Sequence, residues 1–333
     1  MKKLINSPAD VVRESVAGFV AANEGIVKLS KEPLFVTRTE SPVEGKVAIL
    51  SGGGSGHEPL HAGFVGYGML DAAVPGPVFT SPSPDPIVAA TRAIDAGHGV
   101  LYIVKNYTGD IMNFEIAAEL AAFEGCDVMS VVVNDDVAVE DSTFTAGRRG
   151  VAGTLLVEKI AGAAAARGAT LEEVALIAQR VVHHVRTMGV ALTPSVVPHV
   201  GQESFELTED EIEIGIGIHG EPGRYRQPIG TADEIARELL TAVVDDLRVN
   251  AGDRVLLFVN GMGGTPESEL HIVYRYARTA LEGMGVTVER SLVGNFVTSL
   301  EMRGCSITVL RLDDEFVELW DAPVKTARLR WEM

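Results

Sequence analysis

Two histidines occupy the most unusual settings in the chain. His57 lies in Ser51-Gly-Gly-Gly-Ser-Gly-His-Glu-Pro59, and His219 in Gly215-Ile-Gly-Ile-His-Gly-Glu-Pro-Gly223. An imidazole changes protonation near neutral pH and can serve as base, nucleophile or metal ligand. Flanking glycines remove side-chain bulk, so backbone and ligand can approach closely. A third stretch, Lys105-Asn-Tyr-Thr-Gly-Asp110, gathers a cation, a hydroxyl and a carboxylate after an apolar β-branched run. Its carboxylate can orient a substrate hydroxyl or a histidine. Each stretch also has a purely structural reading: a tight turn, a satisfied turn histidine and an Asx-type turn.

The glycine segment follows the apolar run KVAIL, the usual setting of a phosphate cradle. A P-loop needs GxxxxGK[ST], and the chain contains none. A dinucleotide fingerprint needs GxGxxG opening a helix. Here His57 takes the last glycine position and Pro59 follows, while Gly261-Met-Gly-Gly264 also fails the pattern. No nucleotide site is recognisable, which argues against an NAD-dependent oxidoreductase. What the segment offers is a set of exposed backbone N–H groups beside an imidazole. That suits a small ligand with hydroxyls or one phosphate.

The remaining titratable clusters are expected to be structural. His61, His98, His199 and His271 carry no motif, and His183-His184 falls in a helix whose neighbours diverge. Asp135-Asp136 and Asp313-Asp314 lack nearby His or Glu at ligand spacing, so they read as solvated turns and no metal is expected. Arg148-Arg149 either steers an anionic partner or pairs with the local acidic run.

These residues must be held by elements legible as periodicity. In the first half, β-branched runs at 46–50, 69–74, 99–106 and 127–135 alternate with helical patterns at 83–97 and 113–125. The alternation predicts βαβ units and a largely parallel sheet. Ligands of such sheets sit beyond the carboxyl ends of strands, where SGGGSGHEP, NYTGD and NDDVAVEDS emerge. Two helices are expected at 151–168 and 171–189, with Gly168 and Gly189 as C-caps. The second half predicts a strand within 211–223 and a helix at 231–247 opened by a Thr231–Glu234 capping box. A strand at 253–260, a helix at 267–285 and the runs VTVERSLVG, SITVLRLD and FVELWDAPV complete it. The expectation is an α/β protein of two domains, 1–185 and 186–333, each a mixed or mostly parallel sheet flanked by helices.

Composition narrows the partners. The chain has 333 residues, 46% hydrophobic and 22% charged, with a net charge of −18. That charge repels nucleic acid and anionic lipid. Cys126 and Cys305 are far apart with no CxxC, so neither a disulfide framework nor a zinc site is expected. The N-terminus lacks an apolar signal core, and the most apolar helix carries Glu158 and Lys159 at its middle. A cytoplasmic protein is expected.

Taken in order, SGGGSGHEP, KNYTGDIMNFE, AGRRGVAGT, GIGIHGEPG, NGMGGTP and WDAPVKT make the chain resemble the dihydroxyacetone kinase family, in particular its substrate-binding K subunit. The resemblance runs from MKKLINSP to WDAPVKT. It implies that His219 binds the carbonyl carbon of dihydroxyacetone as a hemiaminal. It implies that His57 is the general base and Asp110 the orienting carboxylate, with Gly54, Ser55, Gly56 and Lys105 contacting substrate. It implies two α/β domains in a homodimer. No cofactor is expected on this chain, which ends before the helical nucleotide domain of single-chain kinases. Mg-ADP or Mg-ATP would arrive on a separate L subunit, and in phosphotransferase-dependent systems an M subunit would rephosphorylate its ADP from phosphoenolpyruvate. Paralogues of this fold are also dihydroxyacetone-sensing coactivators of a transcription regulator, or kinases of related keto-sugars.

Overall fold

The computed structural model describes residues 2–140 and 145–331. Met1 of MKKLINSP, and Asp141 and Ser142, the last two residues of NDDVAVEDS, lie outside the described residues.

The first sheet has six strands in the order Val27–Lys31, Leu34–Arg38, Ala72–Val78, Ala48–Ser55, Val100–Lys105, Val128–Val133. The last four are parallel, and the first two form an antiparallel hairpin on one edge. Helices Pro84–Ile94 and Thr108–Phe123 connect the parallel strands. The second sheet also has six strands, in the order Tyr225–Pro228, Glu211–Ile214, Val185–Ala191, Gly304–Leu312, Arg254–Gly261, Thr287–Gly294. Only its last pair is parallel. The tail strands Val324–Thr326 and Arg330–Trp331 return to the first half and add to Gly66–Tyr67.

Several boundaries differ from those expected. The glycine run does not loop out: the strand continues through Ser55, because the missing side chains let it lie against Ala72–Val78. The helix expected to reach 189 ends at His184. Val185–Ala191 turns directly into a strand paired with Gly304–Leu312, so Gly189 is a strand residue facing Ser306 and not a cap. Gly168 does follow helix Gly153–Ala166 in the left-handed region, at φ +84°. The run 211–223 is strand only to Ile214, since Gly215 at φ +81° ends it. Helix Thr108–Phe123 starts earlier than expected, so Asp110 lies in its first turn. The capping box at Thr231 forms as expected, Thr231 Oγ1 accepting from Glu234 N (3.3 Å) and Glu234 accepting from Thr231 N (2.8 Å).

Helix Gly153–Ala166 is the axle between the sheets, buried from Gly153 to Ala165. One apolar cluster joins its Leu156 and Ile160 to Ile49 and Leu101 of the first sheet and to Leu256 and Phe258 of the second. Its apolarity reflects this burial. Among the described residues no helix is long and apolar enough to cross a membrane.

Gly162 of that helix lies against the turn at Met69, where an added Cβ would come within 2.4 Å of Met69 Cα. Backbone on both sides leaves no room to relax. Gly162→Ala should therefore destabilise the chain by about 1–3 kcal/mol despite alanine's better helix propensity. Urea titration should show a lower midpoint, and an unchanged or raised midpoint would contradict this packing.

Candidate active site

The carboxyl ends of Ala48–Ser55, Ala72–Val78 and Val100–Lys105 lie side by side. Past the end of the second, residues 79–80 fold back over the glycine strand. They can do so because Gly54 and Gly56 have no side chains. A Cβ on Gly54 would lie 2.5 Å from Thr80 N, and one on Gly56 would lie 2.7 Å from the Phe79 ring. Phe79 itself takes φ +56° and donates its N–H to Ser55 O at 2.9 Å. The glycines thus serve close approach of a neighbouring segment. The exposed N–H cradle expected from the sequence is absent: residues 52–55 are buried and laddered, and Gly56 N–H is taken by the Glu58 carboxylate (3.1 Å).

Phe79 brings the two distinctive histidines together. His57 stacks on its ring with centroids 5.2 Å apart, and His219 meets it edge-on at 5.2 Å. The His57 and His219 rings are 4.7 Å apart, and Tyr107 closes the far side of His219 at 4.5 Å. Four rings from four segments far apart in sequence therefore form one cluster.

The two imidazoles are oriented by different partners. His57 Nδ1 lies 2.7 Å from the carbonyl of Thr298, so it must donate, and Nε2 carries the lone pair. That Nε2 is buried and has no partner among the described residues. Burial, together with the nearby His219 and Lys105, pushes the His57 pKa well below its usual value, so the ring is neutral. His219 Nδ1 lies 2.9 Å from Glu221 Oε1, and its backbone N–H donates to Glu221 Oε2 at 2.9 Å. Burial works to raise the Glu221 pKa, but His219, their hydrogen bond and Arg149 overcome it and bring it to about 2. An ionised Glu221 only accepts, so His219 donates from Nδ1 and leaves Nε2 free. Gly217 makes room for this pair, since a Cβ there would fall 2.0 Å from Glu221 Oε2.

A cavity of about 360 Å³ opens on this cluster, walled by Gly54, Phe79, Tyr107, Gly109, Asp110 and His219 among others. Of the residues singled out in the sequence, Gly54, Asp110 and His219 face it. His57 lies behind His219 and Phe79, only 1% exposed. Lys105 is fully buried, with Nζ 3.6 Å from Asp110 Oδ2. Ser55 does not join them, because its hydroxyl donates to Gly76 O at 2.7 Å on the neighbouring strand.

Other expectations need correction. Asp135 and Asp136 are buried and are not solvated turn residues. Asp135 accepts from Val151 N (2.8 Å) and Gly153 N (2.7 Å), capping the central helix, and Asp136 pairs with Arg149 at 2.7 Å. Arg149 is itself fully buried, and its guanidinium also donates to the carbonyl of Gly215 at 2.7 Å, beside the turn that carries His219. Arg148 pairs with Asp246 at 2.6 Å. Asp313 and Asp314 are exposed and pair with Arg180 and Arg254. His61 is buried against Lys105, 3.0 Å from its Nζ, unlike exposed His98, His199 and His271. No group of His, Cys, Asp or Glu among the described residues is arranged to hold a metal. Sequence reasoning missed Glu221, Phe79, Tyr107, Thr298, His61 and Glu158. Of these only Glu221 left a signal, standing two residues after His219 across a glycine.

A model of the Dak1 domain matches residues 17–328. The chain belongs to the Dak1 family. It is 47% identical, over 99% of both chains, to the dihydroxyacetone-binding subunit DhaK of the PEP-dependent dihydroxyacetone kinase of Escherichia coli K12. It is 51% identical to the DhaK subunit of PTS-dependent dihydroxyacetone kinase 1 of Listeria innocua, over 98% of this chain and 99% of that one. Among solved structures, the dihydroxyacetone kinase operon co-activator DhaQ superposes with a TM-score of 0.89 at 36% identity, over 94% of this chain and 97% of that chain. The native dihydroxyacetone kinase of C. freundii superposes at 0.87 and 34% identity, over 99% of this chain and 60% of that one. The α/β Dak1 fold is thereby shared.

The Glu221 pKa carries a consequence for stability. A carboxylate lowered from 4.5 to about 2 stabilises the fold above its unfolded pKa and loses that contribution as pH falls toward 2. Glu221→Gln should remove a contribution on the order of 3 kcal/mol, flattening the stability profile between pH 5 and 2. Urea midpoints across that range would check it, and an unchanged slope would contradict an ionised buried Glu221.

Proposed function

We propose that the chain is the dihydroxyacetone-binding subunit of a dihydroxyacetone kinase. The observation that carries this reading is the free Nε2 of His219, fixed by Glu221 on the wall of a small cavity beside a second, bare imidazole nitrogen. Full-length identity near one half to subunits of that name supports it.

In this reading His219 Nε2 attacks the ketone carbon of dihydroxyacetone. An N–C bond forms and the carbonyl π pair moves to oxygen. The oxygen takes a proton from solvent while the ring proton on Nδ1 leaves through Glu221 to solvent, so no net proton is gained or lost and a neutral hemiaminal results. Asp110 accepts from a substrate hydroxyl across the cavity, with Lys105 behind it. His57 takes the proton of the terminal hydroxyl that attacks phosphorus, as a neutral ring with an unpartnered Nε2. Capture fixes the substrate, which suits phosphoryl transfer, where positioning dominates.

The phosphoryl donor belongs to a partner. The chain has no P-loop and no dinucleotide fingerprint. We infer a nucleotide-bearing L subunit carrying Mg-ADP or Mg-ATP, with an M subunit as the donor to its ADP if the system is phosphoenolpyruvate-dependent. A homodimer is supported by an apolar stripe of Met112, Ile116, Leu120 and Phe123 along one face of Thr108–Phe123, with Phe123 90% exposed. It continues into Met129 and Val132 of the unpaired edge strand Val128–Val133, where a second copy would cover both apolar surface and open backbone. Domains 1–185 and 186–333 are our division, supported by the strands of 27–133, apart from Gly66–Tyr67, and those of 185–312 falling in separate six-stranded sheets. The alternative, a dihydroxyacetone-sensing coactivator, is favoured by one observation, the close superposition on such a co-activator.

Incubating the pure chain with dihydroxyacetone, then taking intact and peptide mass spectra, should give an adduct on His219. Glycerol should give none, and His219→Ala should lose it; an undiminished adduct in that variant would refute the assignment. His57→Ala should retain the adduct but lose about 100-fold or more in turnover once a partner L subunit and nucleotide are supplied. A wild-type adduct with no turnover under any donor would favour the coactivator reading. Phe123→Glu with Ile116→Glu should halve the mass seen by light scattering, and an unchanged mass would place the dimer contact elsewhere.

A further inference from the structure

Behind the cavity lies a buried chain of charge that the proposed chemistry does not use. Glu158, fully buried in the central helix, places Oε1 2.5 Å from His61 Nδ1. His61 Nε2 in turn lies 3.0 Å from Lys105 Nζ. Lys105 is fully buried, and its other neighbours are Gly52 O at 3.3 Å and Asp110 Oδ2 at 3.6 Å. The lysine therefore sits among three acceptors, of which only Asp110 reaches the cavity wall.

The protons can be assigned. A lysine ammonium only donates, so His61 Nε2 must accept and carry a lone pair. The single ring proton of neutral His61 then lies on Nδ1 and is donated to Glu158. Burial and the adjacent Lys105 push the His61 pKa well below its usual value, which agrees with a neutral ring. Glu158 is pushed up to about 8, first by burial, so it can accept without holding a full charge at neutral pH. Neither residue reaches the cavity that His219 faces. A purely structural pair buried in a helix-to-sheet contact is more economically built from apolar side chains. Here two polar residues are retained, and they converge on the one buried cation beside Asp110.

We propose that His61 and Glu158 are positioning residues: Glu158 fixes the His61 tautomer, and His61 holds the Lys105 ammonium where it aligns Asp110 on the substrate. The inference rests on the dihydroxyacetone reading for its activity readout alone. Lys105 has a long, flexible stem, and a buried ammonium with one acceptor removed would swing to find another. The lysine head is packed on the glycine strand, its Nζ 2.3 Å from where a Cβ at Gly53 would stand. The space the lysine head fills is the space a side chain at Gly53 would take. Any shift of the head moves the Asp110 contact, which at 3.6 Å is the longest of the three.

Two measurements test this. In the whole chain labelled with 15N-histidine, His61, assigned by its disappearance in His61→Gln, should show the Nδ1–H tautomer with a bare Nε2 from pH 6 to 8. The opposite tautomer or an imidazolium would overturn the proposal without any assay of activity. The second compares His61→Leu with His61→Gln in the reconstituted kinase. Glutamine can accept from Lys105 and donate to Glu158, whereas leucine can do neither. His61→Leu should still form the His219 adduct but lose tenfold or more in kcat, and His61→Gln should recover to within about threefold of wild type. Wild-type turnover in folded His61→Leu, or equal losses in both variants, would overturn it. If the wild-type chain forms no adduct at all, the dihydroxyacetone reading fails, and the tautomer measurement still decides the relay.

Discussion

The site depends on keeping one carboxylate ionised in the protein interior. Glu221 is 2% exposed, and a buried charge is costly unless it is paired and fully hydrogen-bonded. The chain meets that demand locally, through His219 Nδ1–H and the His219 backbone N–H, both presented by the tight turn that Gly217 and Gly220 allow. It meets it at longer range through Arg149, which lies fully buried between Asp136 and the carbonyls of Gly215 and Pro222. Asp136 follows the first sheet and Gly215 follows a strand of the second. The same guanidinium that compensates Glu221 therefore ties the two sheets together at the level of the cavity.

Two histidines in contact can do different chemistry because their Nδ1 protons go to different acceptors. His219 gives its proton to an anion. In the proposed chemistry, positive charge grows on the ring as Nε2 bonds to a carbonyl carbon, and Glu221 meets it. His57 gives its proton to the neutral carbonyl of Thr298, which stabilises an imidazolium far less. Burial and neighbouring positive charge oppose protonation further. In its proposed role as base, such a ring takes a proton only as the attacking oxygen bonds to phosphorus, and it is left neutral again when the proton departs. The proposed nucleophile is thus charge-compensated and the proposed base is not, with ring centres 4.7 Å apart.

Most of the fold could be read from periodicity because the first sheet follows the βαβ rule. The failures were local and share one cause. Glycine-rich strands carry no periodic apolar signal, so the run ending at Ser55 read as a loop, and VRTMG read as the continuation of a helix until its pairing with Gly304–Leu312 is known. At the site, His57, Asp110 and His219 were conspicuous because their motifs are local. Their partners were not: Thr298 lies 241 residues from His57, and Glu158 lies 97 from His61. No short-range pattern encodes such pairs. Phe79 was hidden for another reason, since its left-handed backbone conformation is one that sequence reading assigns to glycine or asparagine. Asp135 and Asp136 misled in the opposite sense, looking like surface turn residues while capping a helix and pairing with a buried arginine.

The proposed capture at His219 also bears on how the cavity selects its ligand. Dihydroxyacetone and glycerol have the same three-carbon frame and differ at the central carbon. A site built on shape and hydroxyl contacts would separate them by only a modest factor, because each hydrogen bond contributes a net 0.5–1.5 kcal/mol or so. The proposed bond at His219 is available to a ketone and closed to an alcohol. In that reading selection is made by an electrophile test, before any phosphoryl donor is engaged, and the walls need only fit three carbons. Asp110, as the proposed orienting carboxylate on the wall, then has one terminal hydroxyl to hold in place, and accuracy would fall on the groups that hold Asp110 still.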